Sequence, residues 1–355
     1  MDRPQDFDPR QPTALRQLSR QGLERLLYWT GLSFAYLKAA SPTGAVILTY
    51  HSVAAPDLAG WIDPHNRIDP DRFVHHMEFL AAHRRVISLD ELADAIEARE
   101  PLPAGSVVLT FDDGYRDTLE VAAPILARYG LPAMVYVPTG IVSRGEAPWS
   151  DLVYSWFRTR RGRRLGAVDG SRGYFDLNTA EGVAAAHAAV SERLLMSWPA
   201  ERGSLLTQLR EQLDPAGEPP RLTASWDELR ELPRRFGRLG IGLHTAEHVD
   251  LTAGDENSVR AELRSCGADA ERELGARPLH FAYPYDRASG RTRTLMAEQG
   301  FRTAVCAGDR RRCLISGTAD PLALPRLNAP HSATLLRFWT SGAYPTLSPG
   351  LSERL

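Results

Sequence analysis

The sequence is poor in cysteine, carries almost no net charge and has no apolar run of membrane-spanning length. Its three cysteines, Cys266, Cys306 and Cys313, include no CxxC pair, which argues against a disulfide framework or a cysteine-bound zinc. The net charge of −2 at pH 7 gives no basic surface of the kind that attracts nucleic acid, so we expect no nucleic-acid partner. We find neither an internal repeat nor a low-complexity tract.

The composition is that of an ordinary globular protein. The chain has 355 residues, of which 43% are hydrophobic and 24% are charged. This length is sufficient for one large α/β domain or for two domains of ordinary size.

One apolar segment stands apart near the amino terminus. Residues 26–37, LLYWTGLSFAYL, are uncharged and lie between Arg25 and Lys38. The segment is shorter than the about twenty residues that a spanning helix needs, and no convincing signal peptide precedes it, although cleavage near Ala40 is one alternative. Two other interpretations of this segment are a helix packed on the domain and a helix lying in a membrane interface. The sequence therefore predicts a cytoplasmic protein or one held peripherally at a membrane through residues 26–37.

Strand-like and helix-like segments alternate along most of the chain. This alternation is typical of a parallel sheet covered by helices, and about eight strands favour a closed or nearly closed barrel over a doubly wound open sheet. Residues 141–222 interrupt the alternation with helical patterns and are predicted to be a helical insertion. We predict a tail with an apolar helix over residues 1–43, one barrel domain over 44–335 and a tail over 336–355.

Polar residues follow four of the predicted strands at the point where each strand ends. In parallel α/β folds, functional side chains collect at these carboxyl ends. The residues are Tyr50 and His51, Asp112 and Asp113, His244, and Tyr283 to Tyr285.

The two histidines of HTAEH, together with the acidic pair, indicate a metal site. His244 and His248 can face one side of a turn, and one carboxylate of Asp112 or Asp113 completes a set of two histidines and one carboxylate. The other carboxylate is then free to act as a general base. Gly114 allows the tight turn that such a pair requires. Taken singly, each motif also fits an exposed turn, and it is their joint occurrence that favours a metal.

The motifs TFDDGY and HTAEH resemble those of the polysaccharide deacetylases of carbohydrate esterase family 4, also called the NodB homology domain. The resemblance covers about residues 44–330. It implies an α/β fold, a distorted (β/α) barrel of about seven or eight strands, and a divalent metal, usually zinc. It also implies that Asp112 is the catalytic base and that the metal ligands are Asp113, His244 and His248.

Further stretches are similar to deacetylases of bacterial surface polysaccharides, including poly-N-acetylglucosamine deacetylases: ILTYHSV, RFVHHMEFL, VISLDELADAI, FAYPYD and LALPRL. In that branch the general acid is a histidine of the early Tyr-His motif, which implies His51 here, with His331 as the alternative. FAYPYD lacks the arginine that usually pairs with the base. Arg326 is our candidate to hold Asp112 ionised, although it also fits a surface residue at a strand end. The backbone N–H of Tyr285 is expected to form the oxyanion hole.

These inferences together predict a metal-dependent hydrolase. It would remove N-acetyl or O-acetyl groups from a surface polysaccharide or its lipid-linked precursor. The alternatives are a deformylase or other amide hydrolase acting on a non-glycan substrate, and a catalytically inactive glycan-binding domain.

Overall fold

A computed structural model describes residues 43–55, 57–166, 173–307 and 313–341. The apolar segment 26–37 lies outside the described residues, so its membrane contact stays a prediction. Among the described helices, none is both long and apolar enough to cross a membrane.

Ten strands and eleven α-helices make up the described part of the chain. The strands are β1 (Ala45–Tyr50), β2 (Arg85–Val86), β3 (Ser106–Phe111), β4 (Ala133–Val137), β5 (Arg164–Gly166), β6 (Tyr174–Asp176), β7 (Leu239–Leu243), β8 (His280–Ala282), β9 (Thr303–Ala307) and β10 (Leu324–Asn328). The helices are α1 (Pro70–His83), α2 (Leu89–Ala98), α3 (Ala123–Arg128), α4 (Thr139–Arg144), α5 (Trp149–Thr159), α6 (Ala180–Met196), α7 (Pro199–Leu213), α8 (Trp226–Arg235), α9 (Glu256–Leu274), α10 (Gly290–Glu298) and α11 (Ala333–Trp339). A π-helical turn, Thr118–Ala122, leads into α3.

The main sheet closes into a parallel barrel. Its strand order is β1-β10-β9-β8-β7-β4-β3, with β2 beside β3, and β1 also pairs with β3 over its whole length. This second pairing joins the two ends of the sheet. The predicted barrel of seven or eight strands is confirmed, and the open doubly wound alternative is excluded: seven strands form the ring and β2 adds one outside it.

Successive side chains of each strand point alternately into the barrel interior and toward the surrounding helices. Val107 and Leu109 of β3 pack toward the helices, whereas Val108 belongs to the inner core with Met134 and Tyr136 of β4. Two inward positions of the neighbouring strand β7 are glycines, and a Cβ on Gly242 would lie 2.5 Å from the Tyr136 ring. Small residues on β7 therefore make room for large ones on β4.

The predicted insertion forms a structured layer of its own. It contains α5, α6 and α7 around a separate apolar core, and it also includes an antiparallel pair, β5 with β6, that the helical prediction did not contain. Helices α2 and α8 begin with capping boxes, in which Ser88 and Ser225 each exchange hydrogen bonds with the glutamate three residues on. Helix α11 runs across the predicted boundary between residues 335 and 336.

Candidate metal and catalytic site

Three of the predicted site residues meet at the carboxyl-terminal mouth of the barrel. Asp113 follows β3, whereas His244 and His248 follow β7. One donor atom from each side chain lies within 4.8 Å of the other two. The side chains of Asp113 and His244 are buried and that of His248 is 13% exposed, so the cluster opens to solvent on the His248 side.

The spacing of the donor atoms fits a single divalent cation. Oδ1 of Asp113 lies 3.2 Å from Nε2 of His248 and 3.6 Å from Nε2 of His244. Two ligands of one tetrahedral zinc ion, each at about 2.0–2.1 Å, would lie about 3.3 Å apart. Two imidazoles and one carboxylate form a set that leaves positions for water and substrate. These residues therefore suit a catalytic rather than a closed structural metal site.

Both histidines present Nε2 to this cluster because their Nδ1 atoms are engaged elsewhere. Nδ1 of His244 lies 2.7 Å from the carbonyl oxygen of Ala282, which can only accept, so Nδ1 carries the proton. Nδ1 of His248 lies 3.0 Å from the hydroxyl of Tyr285, which donates its own hydrogen to the His248 carbonyl and so accepts from Nδ1. Burial lowers the pKa of His244 to about 4, which keeps it neutral as a ligand must be.

Asp112 is held by Arg326. The guanidinium donates two hydrogen bonds to Asp112, 2.8 Å to Oδ1 and 2.5 Å to Oδ2, and a third of 2.6 Å to Asp286. Burial would raise the pKa of Asp112, but the charge of Arg326 outweighs it and holds the pKa below its ordinary value. The structure thus contains the contact that the sequence analysis anticipated, between a residue after β3 and one on β10.

The two carboxylates of the pair diverge because of the backbone. Asp113 has φ 66° and Gly114 has φ 60°, so the chain turns sharply at the end of β3. Asp112 continues the inward alternation of the strand and reaches Arg326, whereas Asp113 turns toward the histidines. In Asp113 too, burial raises the pKa and the contact with His248 more than compensates, so the pKa lies below its ordinary value.

Tyr285 has a side-chain role that the sequence analysis did not foresee. Besides its contacts with His248, its hydroxyl accepts a 2.7 Å hydrogen bond from Nε1 of Trp149 at the start of α5. Burial raises the pKa of Tyr285 to about 12, so the hydroxyl keeps its proton. Tyr285 itself has φ 57°, which brings the side chain back toward His248. The oxyanion role of its backbone N–H stays a prediction.

Arg202 of the insertion also reaches the histidine loop. This buried residue on α7 donates hydrogen bonds of 2.9 and 3.0 Å to the carbonyls of Glu247 and His248. It donates two more to the carbonyls of Leu194 and Ser197. His248 has φ 49°, a strained conformation for a non-glycine residue, and Arg202 helps to hold it there. Nothing in the local sequence distinguishes Arg202 from other arginines of the insertion.

His51 follows β1 and lines a small cleft beside the acidic pair. It is half-buried, and its carbonyl accepts a 3.3 Å hydrogen bond from Thr118. His331 lies in the same cleft and is exposed. Both candidates for the general acid therefore stand at the barrel mouth.

The fold and the site define a class: a closed parallel α/β barrel with two histidines and a carboxylate at the carboxyl ends of its strands. The family profile of the polysaccharide deacetylases matches residues 99–168 and 194–304, more than half of the chain. The chain belongs to the polysaccharide deacetylase family.

Individual relatives are more distant. The chain is 29% identical over 104 residues to YxkH of Bacillus subtilis (strain 168), named as a polysaccharide deacetylase, and the match spans 29% of this chain and 35% of YxkH. Among solved structures, IcaB from Ammonifex degensii superposes with a TM-score of 0.56 at 19% identity, covering 85% of this chain and 98% of IcaB. The deacetylase PplD of Streptococcus pyogenes, solved in complex with acetate, superposes with a TM-score of 0.53 at 19% identity. The superposition covers 84% of this chain and 99% of PplD. At such identity these structures support the fold.

Proposed function

We propose that this protein is a metal-dependent hydrolase that removes acetyl groups from a glycan. The observation that carries the proposal is the mouth of the barrel, where Asp113, His244 and His248 converge and Asp112 stands beside them, paired with Arg326. Membership of the polysaccharide deacetylase family supports a glycan as the substrate. The alternatives, a non-glycan amide hydrolase and an inactive glycan-binding domain, are outcomes of the test below.

We propose the following roles for the residues of the site. Asp113, His244 and His248 would hold a divalent cation, most simply Zn²⁺, which would supply Lewis acidity toward the acetyl carbonyl and water. Asp112, kept ionised by Arg326, takes the proton of the attacking water. The backbone N–H of Tyr285 donates to the oxyanion that forms on the carbonyl oxygen. His51 gives a proton to the departing amine.

For the substrate, we propose N-acetylated sugars of a surface polysaccharide or of its lipid-linked precursor. The support is the similarity of several motifs to the poly-N-acetylglucosamine branch and the overall likeness to IcaB. A further neighbour, a de-N-acetylase from Aggregatibacter actinomycetemcomitans, gives a TM-score of 0.51 at 17% identity, covering 83% of this chain and 99% of that one. An amide substrate also fits a site in which a histidine can protonate a leaving amine.

The deciding experiment combines metal content with acetate release. Asp113→Ala, His244→Ala and His248→Ala should each lose the metal, because each removes one of three ligands. Asp112→Asn should retain it and lose turnover of N-acetylglucosamine oligomers by roughly 10²–10⁴-fold, the usual scale of general-base loss. Full metal occupancy in all three ligand variants would refute the site. Metal binding without acetate release from any glycan would leave the binding-domain or non-glycan alternative.

We further propose that residues 26–37 hold the protein at a membrane surface, where a lipid-linked glycan is found. The segment combines Leu, Trp, Phe and Tyr with flanking Arg25 and Lys38, a composition suited to an anionic interface. The full chain should co-sediment with anionic vesicles at low salt, and a variant lacking residues 1–40 should not. Equal sedimentation of the two forms would refute this role.

A further inference from the structure

A small cleft beside His51 contains the side chain of Arg67, which forms no ion pair with the described residues. It is bounded by His51 and Ser52 after β1, by Arg67, by His65, which lies 3.0 Å from Asp63, by Asn328 at the end of β10, and by His331. Its volume is about 40 Å³, room for a small polar group and too little for a sugar ring. No aspartate or glutamate lines it among the described residues. The cleft is therefore a cationic recess of the barrel mouth.

Arg67 is fixed in this cleft by its backbone. The main chain of Ser52 donates to the carbonyl of Asn66 at 2.8 Å and accepts from the N–H of Ile68 at 2.9 Å, so Arg67 is paired alongside Ser52. This pairing places Arg67 one residue from His51 across the bridge. These main-chain hydrogen bonds fix the backbone of Arg67 alongside the segment that carries His51.

The guanidinium of Arg67 lacks the partners that the other arginines of the site have. Its Nε is buried and donates no hydrogen bond, and within the described ranges none of its nitrogens forms an ion pair. By contrast, every guanidinium nitrogen of Arg202 and of Arg326 donates to an acceptor. A buried donor without an acceptor destabilises the folded protein. A bound ligand that offers an acceptor to the Arg67 guanidinium would remove this destabilisation.

We propose that Arg67 forms a subsite for an anionic oxygen group of the substrate, a phosphate or a carboxylate. An arginine fork pairs with either group through two parallel hydrogen bonds. Because Arg67 shares its cleft with His51, the charged group would sit next to the acetylated sugar, on the same unit or on the adjoining one. This inference rests on the proposed function and adds that the glycan is charged near the reacting position.

Binding of three probes to the full chain tests the subsite. The probes are neutral N,N′-diacetylchitobiose, N-acetylglucosamine 1-phosphate, and a disaccharide of N-acetylglucosamine with glucuronic acid. The wild type should bind one of the charged probes at least about 10-fold more tightly than the neutral one in calorimetry, as a charge-assisted pair implies. The preferred probe tells phosphate from carboxylate.

Substitutions locate the effect. Arg67→Gln should abolish the preference for the charged probe and leave the affinity for the neutral one unchanged, and Arg67→Lys should retain part of it. Arg85→Gln is the matched control, since Arg85 is exposed at the start of β2, the opposite end of the barrel. Equal binding of the charged probe by wild type and Arg67→Gln, or no preference in the wild type, would overturn the proposal. Acetate release is measured separately, so an inactive chain that still shows the preference would refute the hydrolase and not the subsite.

Discussion

The substitution Arg202→Met should weaken metal binding although Arg202 touches no predicted ligand side chain. Two of its hydrogen bonds, of 2.9 and 3.0 Å, end on the carbonyls of Glu247 and His248. Methionine retains the volume of the apolar stem and removes both. Hydrogen bonds from a charged donor contribute about 1.5–3 kcal/mol each, and 1.4 kcal/mol corresponds to a factor of ten in affinity.

Part of that loss is absorbed when the loop relaxes or admits water. Tyr285 also continues to donate to the His248 carbonyl at 2.9 Å, so the loop retains one of its supports. We therefore expect the dissociation constant for Zn²⁺ to rise by about 10- to 100-fold, the range seen when groups that orient a metal ligand are removed. The measurement is competition against a chromophoric chelator at a temperature where both proteins are folded.

The control for this prediction is Arg193→Met. Arg193 belongs to the same insertion and donates to the hydroxyl of Ser197 and to Glu201, but it forms no hydrogen bond with the histidine loop. It therefore reports how much a weakened insertion alone changes metal affinity. An Arg202→Met protein with wild-type circular dichroism and an affinity within about threefold of wild type would refute the reasoning, because the loop would then hold its shape without Arg202.

Two further predictions concern proton transfer and pH. His51→Ala should lower kcat by roughly 10²–10⁴-fold with unchanged metal content, whereas His331→Ala should not; the reverse ranking would assign the general acid to His331. Burial raises the pKa of Asp117 from 3.8 to about 6, although Ser52 donates to it. The folded state therefore holds this proton more tightly than the unfolded state, and stability present below about pH 4 is lost as pH rises through about 6. Relative to Asp117→Asn, the wild type should lose about 1–2 kcal/mol in urea unfolding between pH 5 and 7.5, and a constant difference would contradict it.

The sequence by itself determined the elements and much of the chemistry. Runs of β-branched residues such as SVVLTF make strands, and Ser-x-x-Glu boxes start α2 and α8, because these preferences act over a few residues. The cluster of predicted metal ligands, Asp113, His244 and His248, could also be predicted from the sequence. Its ligands stand directly after strands, and parallel strands bring their carboxyl ends to one edge.

The tertiary structure alone decided which distant residues complete the site. Arg326 is 214 residues from Asp112, and their contact depends on β10 and β3 flanking β1 in a closed ring. Arg326 was a candidate because it lies on the last predicted strand and FAYPYD lacks the usual arginine, but only closure of the barrel distinguishes a buried partner of Asp112 from a surface residue at a strand end. The side-chain contacts of Tyr285 and the contacts of Arg202 had no such signal, because they arise from a left-handed turn and from the packing of an insertion against the barrel. Such contacts join segments that share no local pattern, so periodicity and spacing carry no information about them.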